Sequence, residues 1–348
     1  NYTNNILNLS GSGKFKIDKA FEEIIYFFEK KENQISFKSE LNINNTKLKI
    51  DKINYKKREK SKANLKIQGD FTDKKNLNIN SFILYEENNN IEIINLSLNN
   101  YYQIRKIDKA YFNYLDIENK KNNFNLKKVK RNEYIINGLS FNANSLISNL
   151  LKADDNKKNN FFDKNFDIKL NLNKVYLDKK NFVRDLKGNL NINNNKVVDV
   201  DILAFFNNSK NIKFTIKTNE HGEKITTLFS SEAKPLVDRY KFIKGFEGGK
   251  EGYLDFYSSK KNGISNSKLV IDNFKVKEIP ALAKLLALAS LQGIADLLTG
   301  EGIRFTDFEM SFTNEDKLMK IQELYAIGPA ISILLEGYLE EDKLVSLR

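Results

Sequence analysis

The sequence contains no cysteine, so neither a disulfide nor a thiolate-bound metal can form. That absence suits a periplasmic and a cytosolic setting equally. Histidine is nearly as scarce, His221 being the only one. A Ser-His-Asp triad would have to be built on this residue, and a zinc site would need more than it. His221 sits in Asn219-Glu220-His221-Gly222-Glu223, a hairpin-like turn in which a solvent-exposed role is the expectation. Only three prolines occur in 348 residues, so few strands are interrupted.

Phosphate-binding and dinucleotide-binding loops are missing too. Gly245-Phe246-Glu247-Gly248-Gly249-Lys250-Glu251 has its glycines one residue too close to Lys250, and Glu251 stands where a Ser or Thr must hold magnesium. Gly11-Ser12-Gly13 is too short for a dinucleotide fingerprint. Asp199 and Asp201 flank Val200 with the spacing of a carboxylate pair, and the alternation rule makes them the water-facing side of a strand. No catalytic residue, metal site or cofactor is expected, and the chain reads as a non-enzyme.

The net charge is +12, from 57 Lys and Arg against 45 Asp and Glu. Such a balance raises nucleic acid and anionic membranes as partners. The lysines read as spread through the strands, hence as a solvated face. Tyr55-Lys56-Lys57-Arg58 interleaves an aromatic with cations, but one such cluster does not make a nucleic-acid site, and none is expected.

What the chain does have is alternation. Ile35, Phe37, Leu41 and Ile43 fall on one parity with polar residues between them, and Ala63, Leu65, Ile67 and Phe71 repeat the pattern. It resumes in Phe166, Ile168, Leu170 and Leu172, in Leu190 and Ile192, in Val198, Val200 and Ile202, and in Ile212, Phe214 and Ile216. Asn-rich runs punctuate these segments, and Asn tolerates the left-handed backbone of tight turns. Three stretches carry helical spacing instead: residues 19–30, residues 142–153, and a long apolar run near 280–298 that starts at Pro280 and stops before Gly300. In that run Leu282, Leu285, Leu286, Ala289 and Leu291 surround the axis, so it should pack on several sides or touch a membrane. The solvated run at 154–160 divides the chain into a β-rich part, 1–155, and a second part, 161–348. The first residue is Asn1 and no leader-like pattern follows it, and Leu344–Arg348 resembles a strand cut in mid-run. A fragment of a longer protein is therefore expected.

Ile271-Asp272-Asn273-Phe274, Ile279-Pro280-Ala281-Leu282-Ala283-Lys284-Leu285-Leu286, Ala289-Ser290-Leu291-Gln292-Gly293-Ile294 and Gly300-Glu301-Gly302-Ile303-Arg304-Phe305 resemble the AsmA-like C-terminal region of Gram-negative envelope proteins of the YhdP, AsmA and TamB type, YhdP most of all. Gly328-Pro329-Ala330 and Gly337-Tyr338-Leu339 fit the same pattern. The specific likeness covers roughly residues 235–348. It implies a periplasmic protein tethered to the inner membrane by an N-terminal anchor absent here. It also implies transport of phospholipid between inner and outer membranes, with envelope proteins as further partners. No catalytic residue is carried over by it.

The combined expectation is a mainly β fold. An elongated, twisted antiparallel sheet forms an open hydrophobic groove, with a few short helices and one long apolar helix near the C-terminus. Alternation assigns the groove floor to Ile35, Phe37, Leu41, Ile43, Leu65 and Ile67 in the first part. It assigns Leu170, Leu172, Leu190, Ile192, Val200, Ile202, Phe214 and Ile216 in the second. The competing expectation is a structural or regulatory envelope protein whose apolar face is filled by a second sheet of its own.

Overall fold

The computed structural model describes residues 2–3, 6–17, 20–72, 76–152, 165–193, 196–240, 243, 245–248, 252–277, 302–340 and 343–347. The fold is mainly β. It divides into two compact units, Asn1–Val197 and Val198–Arg348. The run at 154–160 lies outside the described residues.

The first unit contains β1 (Tyr2–Thr3), β2 (Ile6–Ile17), β3 (Ala20–Lys31), β4 (Gln34–Asn42), β5 (Lys49–Ile50), β6 (Tyr55–Lys56), β7 (Ala63–Thr72) and β8 (Asn76–Glu86). It continues with β9 (Asn89–Leu98), β10 (Ile104–Lys106), β11 (Lys109–Leu115), β12 (Lys121–Lys128), β13 (Glu133–Asn142), α1 (Asn144–Lys152), β14 (Phe166–Tyr176) and β15 (Phe182–Asn193). Apart from the small β5–β6 hairpin, each strand pairs with the next in an up-and-down meander, β10 and β11 sharing one edge of β9. One pair departs from the expected antiparallel plan: β13 and β14 run parallel. Parallel neighbours need a long crossover, and the connection carrying α1 provides it.

Residues 19–30 do not form the helix that their spacing suggests. Ala20–Lys31 is β3, paired along its whole length with β2. The segment satisfies both periods, because Phe21, Ile25 and Phe27 share one parity while Ile24, Tyr26 and Phe28 share the other. A strand apolar on both faces imitates a helical stripe, and its β-branched and aromatic residues favour the pleated surface. The helix expected at 142–153 is present as α1. Residues 280–298 lie outside the described residues, and with them Leu282, Leu285, Leu286, Ala289 and Leu291. Among the described residues no helix is long and apolar enough to cross a membrane.

The second unit begins with β16 (Lys196–Phe205), β17 (Asn211–Thr218), β18 (Lys224–Ser230), α2 (Lys234–Tyr240) and β19 (Phe246–Gly248). It ends with β20 (Leu254–Lys261), β21 (Ile264–Val276), β22 (Ile303–Glu315), β23 (Leu318–Ile327), β24 (Ser332–Glu340) and β25 (Lys343–Leu347). This is a second antiparallel meander, with β19 and β20 sharing one edge of β21. In neither unit does a described pairing join the first strand to the last, and the sheet does not close on itself.

Asn95 in β9, Asp185 in β15 and Asn273 in β21 adopt positive φ of 54°, 51° and 48°. Asn and Asp are the non-glycine residues that tolerate this region best. Each marks an irregular step that switches which parity faces the apolar side. In β15 and its partner β14 the buried residues change from Leu186 and Leu172 to Val183 and Val175.

Candidate functional site

Residues directly opposite in neighbouring strands share a face, so the register identifies which side chains line up. In the first unit, Ile24, Leu41, Leu65, Leu84, Ile91 and Phe112 form one row across β3, β4, β7, β8, β9 and β11. Phe124, Gly138, Leu172 and Leu186 carry it on to β15. At ~4.8 Å per strand these ten strands give a contour of roughly 45 Å.

Three further rows run beside the first on the same face. One contains Ile67, Phe82, Ile93, Ala110, Leu126 and Leu170, and the next contains Phe37, Ile79, Leu96 and Leu190. The last contains Ile35, Phe71, Leu77, Leu98 and, beyond the middle strands, Ile192. The face is thus apolar four rows deep, roughly 20 Å along the strands. Of the residues assigned from alternation, Ile35, Phe37, Leu41, Leu65, Ile67, Leu170, Leu172, Leu190 and Ile192 all lie on this one face. Ile43 lies just past the end of β4 and is buried.

The fifth position along the strands is polar. Glu22 of β3, Glu86 of β8, Asn89 of β9, Tyr114 of β11 and Asn122 of β12 sit at the strand ends of the apolar face. Glu22, Glu86 and Asn122 are buried. Glu22 and Glu86 stay satisfied because an insertion, residues 43–62, folds over them, and Asn122 donates to Asp116 and the Lys120 carbonyl and accepts the Asn142 N–H. Glu22 accepts backbone N–H groups of Asn44 at 3.0 Å, Asn45 at 2.7 Å and Thr46 at 2.5 Å. Glu86 accepts the Tyr55 and Ser61 hydroxyls at 2.6 and 2.5 Å, the Arg58 N–H at 3.0 Å and the Asn89 amide at 3.1 Å. Burial pushes the Glu86 carboxyl up, but these donors outweigh it and hold it below the ordinary glutamate range.

Lys57 is fully buried between these acids, its ammonium donating to the carbonyls of Arg58 at 2.8 Å and Asn44 at 3.1 Å. Burial draws its pKa below the ordinary lysine value, against the upward pull of Glu86 and Glu22. The Tyr55 ring meets Tyr114 edge-on at 5.6 Å, and the Tyr114 hydroxyl donates to the Ile53 carbonyl at 2.6 Å. Burial raises both phenols, Glu86 adding to the effect at Tyr55 and Asp116 at Tyr114. A second knot follows along the same rim. The Asn142 amide donates to Asp116 at 2.7 Å and to Glu118 at 2.8 Å, and Asn144, at the start of α1, donates to Glu118 at 2.8 Å.

The second unit repeats this plan. Ile202, Phe214, Leu228, Phe256, Leu269 and Met310 form one row, continued by Leu324 and Leu335. Val200 and Ile216 lie opposite each other on the same face. At one end of the strands α2 closes the face with Leu236 and Val237, over Phe246, Phe274 and Phe305 stacked at 5.1 and 5.4 Å. Asp199 lies on the polar face, paired with Lys217 at 2.8 Å. His221 is exposed in the turn between β17 and β18.

Three features escaped the sequence reading: the rim of buried carboxylates, the insertion that covers it, and the concentration of charge in that insertion. The lysines are not evenly spread. Residues 43–62 hold eight Lys and Arg against two acids, a density visible in the sequence once the segment is set apart from the strands around it. No family model, curated protein or solved structure matches the chain.

Proposed function

We propose that this chain is a lipid-carrying segment of a bridge between membranes, with acyl chains lying against the apolar faces and head groups in solvent. The observation that supports it is the register-continuous apolar face of the first unit. It is covered at one strand end by residues 43–62. Leu9, Phe28 and Phe71 on that face are 52%, 38% and 38% exposed, so its corner at β2, β3 and β7 presents hydrocarbon to solvent, whereas Ile79, Phe166 and Ile192 in its outer rows are buried. Burying an acyl chain there yields ~0.8 kcal/mol per methylene.

In this reading the segment works in the periplasm of a Gram-negative envelope, tethered to the inner membrane. It passes phospholipid between inner and outer membranes alongside envelope proteins. Such transport needs a continuous apolar track and no nucleophile.

The test places a photo-crosslinking residue on each parity. Replacement of Ile67, Phe82, Ile202 or Phe214 should capture phospholipid, and replacement of Lys66, Lys213 or Asp201 should not. Equal capture on both faces, or protein that purifies without lipid, overturns the proposal in favour of a structural role with a self-filled core.

A further inference from the structure

Residues 43–62 carry a net +6, from eight Lys and Arg against two acids, out of +12 for the whole chain. The way this insertion is anchored turns that charge outward. Among the described side chains of the insertion, Lys57 is the cation drawn into the buried network with Glu22 and Glu86. Lys47, Lys49, Lys56, Arg58, Lys60 and Lys62 are all exposed. Lys47 pairs with Glu59 at 3.0 Å and Lys49 with Asp51 at 2.5 Å, which uses both acids of the segment. Lys56, Arg58, Lys60 and Lys62 make no ion pair among the described residues.

The cationic surface extends along the same rim. The Asn54 carbonyl accepts the Ile117 N–H at 3.2 Å, which ties the insertion to the turn before β12. In that turn Lys120 donates to the Lys179 carbonyl at 2.9 Å, in the β14–β15 connection. There the ammoniums of Lys120 and Lys174 lie 5.0 and 4.8 Å from the Tyr176 ring, and Lys174 lies 4.0 Å and Arg184 5.6 Å from Phe182. Lys179 and Lys180 are exposed beside them.

We propose that the insertion at 43–62, with the adjoining β14–β15 connection, is a docking surface for an anionic lipid bilayer. The aromatic groups favour a bilayer over single-stranded nucleic acid. Base stacking needs an open ring, whereas Tyr55 is buried with its hydroxyl on Glu86, and Tyr176 and Phe182 already carry cations. A bilayer needs only a spread of surface charge. This surface also lies beside the apolar face of the first unit. Its nearness to carried lipid rests on the lipid-carrier reading, but the docking itself does not.

The experiment uses the full chain and sedimentation with vesicles of phosphatidylcholine, alone or mixed with phosphatidylglycerol. Partition should require phosphatidylglycerol and be lost at high salt. The Lys56→Gln/Lys60→Gln/Lys62→Gln variant should weaken it by about 100-fold, each charge contributing roughly fivefold. A Lys169→Gln/Lys187→Gln/Lys213→Gln control with the same net charge should retain it. Equal loss in the control, binding indifferent to phosphatidylglycerol, or displacement from the vesicles by a single-stranded oligonucleotide overturns the proposal. Matching thermal unfolding of the variants, with single Lys60→Gln as a milder form, separates lost binding from lost folding. Mass spectrometry of lipid bound to the purified protein reads the carrier function separately. Lipid-free protein that still binds these vesicles sinks the groove and leaves the docking surface, and lipid-loaded protein that ignores them does the reverse.

Discussion

The Tyr55 hydroxyl donates a 2.6 Å hydrogen bond to Oε2 of Glu86, with the ring 1% and the acid 4% exposed. This bond joins the insertion at 43–62 to the sheet beneath it. Replacing Tyr55 with Phe keeps the ring against Tyr114 and deletes one donor to a buried carboxylate. The expected cost is ~1–3 kcal/mol. Urea unfolding measures it, and limited proteolysis should show faster cleavage among Lys56–Lys62 than elsewhere in the first unit. An unchanged unfolding midpoint together with an unchanged cleavage pattern would remove this bond from the anchoring.

Glu86 also sets a pH dependence. Its carboxyl titrates lower in the folded chain than in the unfolded one. Its stabilisation is therefore fully present above the ordinary glutamate value of 4.5 and disappears as pH falls through the folded value. Lys57 adds a dependence of the same sign at higher pH, since its lowered pKa makes folding more favourable as pH rises from the folded value toward 10.5. The stability gap between wild type and Glu86→Gln should thus be wide at pH 7 and narrow on acidification through the folded value. Denaturant midpoints at a series of pH values decide this, and a constant gap would show that the acid acts without its charge.

Gly69 tests the register. It stands opposite Phe37 on the apolar face, beside the irregular step between β7 and β8. A Cβ there would meet the carbonyl oxygen of Asn78 and the Phe37 ring. The obstructing atom is backbone, so it cannot swing away as a side chain tip would. Gly69→Ala should destabilise the first unit by ~1–3 kcal/mol, whereas Gly13→Ala, with nothing within 4 Å of its Cβ, should change little. Equal effects at the two positions would contradict the pairing described.

Much of this layout was legible in the sequence because period-two alternation reports a strand's facing directly. Leu41 and Leu65 were assigned to the same floor from their own segments, and they turn out to be cross-strand partners. Where alternation failed, the reasons are physical. β3 is apolar on both faces, so period two and helical spacing both fit it. Asp185 and Asn273 shift parity within a strand, and nothing in a simple alternating pattern announces the step. Glu22 and Glu86 occupy apolar-face positions at strand ends, where their partners come from an insertion far away in sequence. Local spacing cannot report such a contact, and only the lysine density of 43–62 hinted at a separate element.

Phe274 distinguishes a packed end of the second unit's apolar face from an open one. Its ring stacks on Phe246 at 5.1 Å and Phe305 at 5.4 Å and meets Phe308 edge-on at 6.2 Å, and it is 3% exposed. Phe214 lies on the same apolar face but is only half-buried. Truncating Phe274 to Ala removes a filled position beneath α2 and should cost ~3–5 kcal/mol. Truncating Phe214 removes a side chain already partly hydrated, so its cost should be well below that range. If Phe214 instead faces acyl chains, Phe214→Ala should reduce the lipid recovered with the purified chain while its unfolding midpoint barely moves. Denaturant unfolding and lipid quantification on the two variants give the comparison. Equal destabilisation, with lipid content unaffected by either change, would assign both rings to one protein core.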